Sequence, residues 1–378
     1  MNHLQLIATA PMGLEAVVAR ELKELGYAEQ RVENGRVHFT GGLIDIARAN
    51  LWLRSAGRVL INMGSFPATT FEELFEAVKA MDWPAWIPGD GEFPVNGRSH
   101  KSQLSSVPAC QSIVKKAIVE KLKEHYHTEW FPEDGARYII EVTLLHDEAL
   151  ITIDTSGFGL HKRGYRKFST EAPLRETLAA SLIQLSRWRP ERPLYDPFCG
   201  SGTILIEAAM IGWNIAPGLR RSFDCENWPQ MSDKLWDEAR EEAFDSVKDD
   251  IPMQIAGSDI DPGAIEIAEA AVRKAGFGKD IKLQVASVSK AKLQGEYGVV
   301  ITNPPYGERL GDDIEAERAL RDFGRTALYY PTWSYFAISP SKTIETYFGK
   351  NADKKRKLYN GRIQCDFYQF FGPLPPRA

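Results

Sequence analysis

Four consecutive residues, Asn303-Pro304-Pro305-Tyr306, carry the most specific chemistry in the chain. They follow Val299-Val300-Ile301-Thr302, a β-branched run that predicts a buried strand, so the turn falls just beyond a strand's carboxyl end. Each proline fixes its own φ and removes a backbone N–H. What remains is a rigid turn rich in acceptors: the Asn303 side-chain oxygen, the nearby carbonyls and the aromatic face of Tyr306. Such a turn suits an exocyclic nucleobase amine. Acceptors hold its two N–H groups, the ring stacks, and the nitrogen lone pair is turned towards an electrophile. Alone, the tetrapeptide also fits a proline-rich loop that merely ends a strand.

A second motif is suited to bringing the electrophile. Pro193-Leu194-Tyr195 leads into Asp196-Pro197-Phe198-Cys199-Gly200-Ser201-Gly202-Thr203, and the apolar helical run Ile204 to Ile211 follows. This is strand, Gly-rich turn, helix, with glycines that let a ligand lie against backbone at a helix N-terminus. A dinucleotide fingerprint needs a Gly or Ala three places after Gly202, where Leu205 stands, and the Gly-Lys-Ser/Thr of a P-loop is absent. Asp196 at the strand end repels phosphate and suits an amino acid's ammonium. The pattern favours S-adenosylmethionine over NAD or ATP.

The next predicted strand, Met253 to Ser258, ends at Asp259-Ile260-Asp261, and Pro262 starts an amphipathic helix through Ile265, Ala268 and Val272. An acid at that strand end suits the two hydroxyls of a ribose. Asp259 is assigned there, Ile260 against the adenine, and Asp261 as the helix N-cap.

This array resembles the class I S-adenosylmethionine-dependent methyltransferases of exocyclic amines. The likeness extends through Leu160-His161-Lys162-Arg163-Gly164-Tyr165-Arg166, Ala172-Pro173-Leu174-Arg175-Glu176-Thr177-Leu178-Ala179-Ala180 and Lys357-Leu358-Tyr359-Asn360-Gly361-Arg362. It includes the opening Ala8 to Glu15 and the stretch Arg48 to Arg54. Over nearly the whole chain it is similar to the THUMP-domain RNA methyltransferases, in particular the RlmL-like group acting on guanine N2 of 23S ribosomal RNA. The resemblance implies an α/β, Rossmann-like methyltransferase domain over residues 171–378. Before it come an N-terminal α+β, ferredoxin-like region (1–60), an overlapping THUMP RNA-binding domain (45–155) and a linker (156–170). It also implies that Ala172, Pro173 and Leu174 close the other side of the methionine. One departure stands out: where such enzymes often place an acid or Asn against the adenine amine, this chain has Ala286-Ser287, leaving Ser287 as the candidate.

Composition fits this organisation. The 378 residues exceed one ordinary domain, and 43% hydrophobic with 26% charged residues is typical of a globular protein. Cys110, Cys199, Cys225 and Cys365 show no paired spacing and the seven histidines are scattered, which argues against structural zinc or disulfides and for a reducing cytoplasm. Leu4 to Ala10 superficially resembles a signal-peptide core. It lacks a basic leader and runs into a helix with Leu14, Val17, Val18, Leu22 and Leu25 on one face. No apolar run is long enough to span a membrane.

The net charge of −5 speaks against nucleic acid, yet contact is made by local basic surface. Lys162, Arg163, Tyr165 and Arg166 interleave cations with an aromatic and are assigned to RNA or to an interdomain contact. Lys350 to Lys357 reads as a solvated loop or a second basic patch. Residues 1 to about 60 alternate strand, helix, strand, helix. A helix from Ile113 to Leu122 offers Lys115, Lys116, Lys121 and Lys123 to solvent, and Tyr138 to Leu145 pairs with Ala149 to Asp154. Trp83, Trp86 and Trp130 read as core. Trp213 to Pro252 is either a surface insertion or a wall of the substrate cleft. The late strands Ser334 to Ile338 and Ile363 to Phe371 complete the sheet, the last antiparallel by resemblance. Rival readings are a tRNA guanine-N2 methyltransferase, a DNA adenine-N6 methyltransferase and a non-catalytic ribosome-assembly factor.

Overall fold

A computed structural model describes residues 3–166, 174–306 and 312–376, and the chain forms two compact units, each built on a seven-stranded sheet. The first unit comprises residues 1–10, 19–160 and 221–242; the second comprises 11–18, 161–220 and 243–378.

The chain opens with β1 (Leu4–Thr9), α1 (Glu15–Glu24), β2 (Gln30–Glu33), β3 (Arg36–Gly41), α2 (Leu43–Trp52) and β4 (Val59–Pro67). It continues with α3 (Phe71–Lys79), β5 (Val95–His100), α4 (Val107–Tyr126), β6 (Ile139–Leu145) and β7 (Glu148–Asp154). The first sheet has the order β2-β3-β1-β4-β7-β6-β5. The segment resembling a signal core is β1, paired on both sides, and Leu14, Val17, Val18 and Leu22 of the following helical stretch are buried. The strand expected after α1 is a hairpin, β2 and β3, joined at Asn34-Gly35 with Gly35 at φ +79°. That dipeptide was the available signal.

Three expectations change here. Trp83 and Trp86 are buried, but Trp130 is 78% exposed, because it stands on the loop after α4 and not on a core-facing element. Lys115 does not face solvent freely: its Nζ lies 2.7 Å from Glu133 and 3.3 Å from the Phe93 ring centroid. Part of the insertion is core and not surface. Trp228 stacks on Tyr138 with ring centroids 4.6 Å apart and donates to the Arg137 carbonyl, while Gln230 Nε2 donates to the carbonyls of Ala85 and Trp86.

The remaining elements are α5 (Glu176–Ser186), β8 (Leu194–Asp196), α6 (Thr203–Gly212), α7 (Asp233–Asp245), β9 (Ile255–Asp259), α8 (Pro262–Ala275) and β10 (Ile281–Val285). They are followed by β11 (Val299–Thr302), α9 (Asp312–Tyr329), β12 (Ser334–Ser339), α10 (Ile344–Phe348), β13 (Lys354–Asn360) and β14 (Ile363–Phe370). The second sheet has the order β10-β9-β8-β11-β12-β14-β13, with five parallel strands and an antiparallel pair at the end. Its central strands are apolar on both faces, as a covered parallel sheet requires. Val299 and Ile301 join one core with Leu182, Leu205 and Val272, whereas Val300 joins the other with Leu320 and Phe323. Lys354 to Lys357 lie on edge strand β13 and not in a loop; Lys354, Lys355 and Lys357 are exposed there, where charge opposes edge-to-edge pairing.

Candidate active site

The strand order sets the site. β9, β8 and β11 are parallel neighbours, so Asp259, Asp196 and Asn303 come to one edge of the sheet at the strands' carboxyl ends, the usual ligand edge of such sheets.

Asp196 closes β8 and is 1% exposed. Its Oδ1 accepts from the Thr302 hydroxyl at 2.5 Å and from the Phe198 N–H at 3.1 Å. Burial, aided by nearby Asp259, pushes its carboxyl up to about 7, against the lowering effect of those two bonds. In sequence Thr302 is only the end of a strand; the last position of β11, beside β8, gives it this role.

The Gly-rich turn is held from both sides. The Cys199 N–H donates to the Ser258 carbonyl at 3.0 Å, and the Gly200 N–H donates to Asp259 Oδ2 at 2.9 Å. Gly202, at φ +76°, is the N-cap of α6, and a Cβ there would press on Ala268 at 3.3 Å. A Cβ on Gly257 would meet Leu205 Cδ1 at 2.6 Å, so β9 and α6 approach as closely as a glycine allows. At Gly200 a Cβ would meet open space. Phe198 packs edge-on to Phe323, and the Ser201 and Thr203 hydroxyls lie 3.2 Å apart. Burial raises the Cys199 thiol far above its ordinary range, which disfavours the thiolate.

Asp259 Oδ1 accepts from the Asp261 N–H, and Asp261 caps α8 by accepting from the Gly263 N–H, ahead of Pro262 at the first turn. Ile260 is 72% exposed at the same edge, a large apolar side chain with an open face. Ser287 follows β10, half-buried, with its hydroxyl 3.0 Å from that of Ser289.

In the proline turn, Pro304 is buried, Pro305 exposed and Asn303 half-buried. The Tyr306 hydroxyl donates to Asn303 Oδ1 at 2.5 Å, and its ring packs against the apolar core of the second unit.

The basic segment is not an open cationic surface. Arg163 and Tyr165 are buried: the guanidinium lies 3.4 Å from Glu207, itself fully buried, and the Tyr165 hydroxyl donates to the same carboxylate at 3.1 Å. Arg166 donates to the Thr203 hydroxyl at 2.6 Å and to the Leu174 carbonyl at 3.0 Å, and pairs with Glu176. Such a buried, paired guanidinium and phenol cannot meet a phosphate or stack on a base. Arg163 and Tyr165 therefore hold α6 through Glu207, and the half-buried Arg166 holds its first residue, Thr203; of the four residues Lys162 is the exposed one. Leu174 is buried beside Arg166; Ala172 and Pro173 lie outside the described residues.

These groups fit S-adenosylmethionine. Acidic strand ends oppose phosphate, a buried carboxyl with no cation among its described hydrogen-bond partners suits an ammonium, and Asp259 retains lone pairs for ribose hydroxyls. Among the described residues no cluster of His, Cys, Asp and Glu could hold a metal ion, and no helix is long and apolar enough to cross a membrane.

Comparison with known proteins agrees with this geometry. Three family models match: the RlmL ferredoxin-like domain at residues 5–60, the THUMP domain at 68–154 and the RMKL-like methyltransferase domain at 163–369. YpsC of Bacillus subtilis, an RNA methyltransferase by name, is 49% identical, over 100% of this chain and 98% of its own. The ribosomal RNA large subunit methyltransferase K/L of Shewanella baltica is 32% identical over 96% of this chain, which spans 52% of that longer protein. Among solved structures, SMU.472, a methyltransferase by name complexed with SAH, is 46% identical with a TM-score of 0.94 and full coverage of both chains. A Listeria monocytogenes structure described as an N6-adenine-specific DNA methylase is 50% identical, also at 0.94, covering 99% of this chain and 97% of its own.

Proposed function

The chain belongs to the RMKL-like methyltransferase family, with ferredoxin-like, THUMP and methyltransferase domains, and from that premise we propose that it methylates the exocyclic N2 of a guanine in 23S ribosomal RNA. It is an S-adenosylmethionine-dependent RNA methyltransferase. The finer target is supported by the large-subunit enzyme among its relatives and by the amine-accepting turn. The observation that carries the chemistry is the Thr302–Asp196 hydrogen bond, which ties the strand bearing the turn to the strand bearing the cofactor acid.

The cofactor supplies an electrophilic methyl on its sulfonium. Backbone of Gly200, Ser201 and Gly202 holds the methionine portion, Asp196 faces the ammonium, Asp259 accepts from the ribose, and Ile260 and Ser287 border the adenine. Asn303 Oδ1 and the Pro304 carbonyl accept from the target amine, and Tyr306 stacks on the base. The chain's residues would hold N2 in line with the methyl of the bound cofactor, without a covalent enzyme intermediate. The N–CH3 bond forms as the S–CH3 bond breaks, the thioether leaves and the surplus N2 proton passes to solvent water. Positioning and preorganised acceptors supply the rate. A guanine within a helix must first be flipped out. The reducing cytoplasm is the compartment for this reaction, in keeping with four unpaired, buried cysteines.

Nucleoside mass spectrometry of ribosomal RNA, tRNA and DNA from a deletion strain tests the target. Loss of N2-methylguanine from 23S rRNA is expected. Its loss from tRNA, or loss of N6-methyladenine from DNA, as the Listeria description suggests, would replace this reading. Purified protein that transfers no methyl group to any of these would point to a non-catalytic assembly role.

A further inference from the structure

We propose that Asn360 is a positioning residue for methyl transfer, acting through the Tyr306 hydroxyl to set both the stacking ring and the acceptor face of Asn303. The proposal rests on the reading of Asn303 and Tyr306 as the amine site.

Among the described residues, three groups meet at that hydroxyl. It donates to Asn303 Oδ1 at 2.5 Å, and it accepts from Asn360 Nδ2 at 3.3 Å and from Cys365 Sγ at 3.7 Å. The donor assignments follow from chemistry. An amide oxygen is only an acceptor, so the phenol proton points to Asn303, and its lone pairs face the amide and thiol protons.

Asn360 is well placed to be a fixed donor. It is the last residue of β13, paired with Ile363 of β14 across a two-residue loop whose first residue, Gly361, has φ +63°. A hairpin turn of this kind sets its register by backbone geometry. In the sheet, β12 and β14 stand between β11 and β13. Backbone pairing therefore leaves the Asn-Pro-Pro-Tyr turn and the hairpin tip unconnected, and the Asn360–Tyr306 hydrogen bond joins them.

Two consequences follow for the reaction. Donation from Tyr306 fixes the amide plane of Asn303 with its oxygen, and not its NH2 group, in a defined direction; the amide torsion is otherwise broad and two-fold. Accepting from Asn360 polarises the phenol and strengthens that donation. The hydroxyl therefore matters in addition to the ring, and Tyr306→Phe slows transfer even though stacking is retained.

The experiment is a double-mutant cycle in single-turnover methylation. The substrate is total RNA from a strain lacking the gene, with S-adenosylmethionine labelled in the methyl group. Tyr306→Phe and Asn360→Ala should each lower the rate constant about 3- to 10-fold. The double variant should be no slower than Tyr306→Phe alone, and calorimetric affinity for S-adenosylhomocysteine should stay unchanged. Asn360→Asp, which keeps size and turn preference but loses the donor, should match Asn360→Ala. Full activity in either Asn360 variant, or effects that multiply in the double variant, would overturn the role of Asn360. Asn303→Ala separates the two claims: if it transfers at the wild-type rate, the amine-site reading itself fails. If it is slow while the Tyr306 and Asn360 effects multiply, only Asn360 is removed.

Discussion

Asp154 closes β7 in the first unit and Asp196 closes β8 in the second, and both carboxyls are buried. Burial pushes the first up to about 6 and the second up to about 7. Their surroundings differ. Asp154 is met by the Arg58 guanidinium and the Ser156 N–H, so its charge is answered inside the fold. Asp196 is met, among its described hydrogen-bond partners, by a hydroxyl and an amide, with the acidic Asp259 nearby. A carboxylate that has its own cation is a brace. One without it, at the ligand edge of a parallel sheet, is suited to a cation that arrives with the ligand.

The sharpest way to test that contrast is at the second unit's ligand edge, away from any brace. Asn303→Ala should cost on the order of 10²–10³ in single-turnover rate, because a preorganised acceptor for the developing charge is removed. Melting temperature and cofactor affinity should hardly change. Wild-type transfer would remove the turn from the chemistry.

In the first unit, Arg58→Ala should act on stability and not on cofactor affinity. Breaking a buried pair costs several kcal/mol. Arg58 is about one-third exposed, so about 2–3 kcal/mol is expected in a denaturant titration. A neutral result would mean that Asp154 takes up a proton once the guanidinium is gone.

Asp259→Ala should weaken S-adenosylhomocysteine by about 1.5–3 kcal/mol in calorimetry, the value of a charge-assisted contact. Part of that loss would come from the Gly200 N–H, which Asp259 now holds. Unchanged affinity would take Asp259 out of the site.

The smallest effect is on pH. Asp196 has a raised folded-state pKa, so the folded protein holds its proton over a range in which the unfolded chain has released it. For this group alone, stability falls as pH rises from about 4 to about 7. A cationic ligand favours the ionised form, so S-adenosylhomocysteine should bind about 10-fold tighter at pH 8 than at pH 6, with proton release. Asp196→Asn should flatten that dependence. A wild-type affinity that is flat with pH would show that the ammonium lies elsewhere.

Local chemistry made the ligand edge legible. The β-branched run before Asn303, the glycines after Cys199 and the Asp261-Pro262 helix start each announce themselves within a few residues, and the structure places them on adjacent strands. Contacts distant in sequence were not legible. Arg163 and Tyr165 read as an RNA or interdomain contact because their partner, Glu207, lies more than 40 residues on. The Thr302–Asp196 bond depends on β11 lying beside β8, which no local pattern reveals. Trp130 shows the converse: its bulk and aromaticity point to the core, yet its loop leaves it in water.

The Trp228–Tyr138 stack also bears on how the chain is made. A ribosome releases residues in order at roughly 5–20 per second, and domains tend to fold as they emerge. The Arg137 carbonyl receives its indole donor from a residue 91 positions later, so the first sheet is complete in sequence before its aromatic cover has been synthesised. For several seconds Tyr138 and its apolar neighbours stand without that lid. A fragment ending near residue 160 would keep them so permanently, exposing a sticky face that the 378-residue chain shows only during its birth.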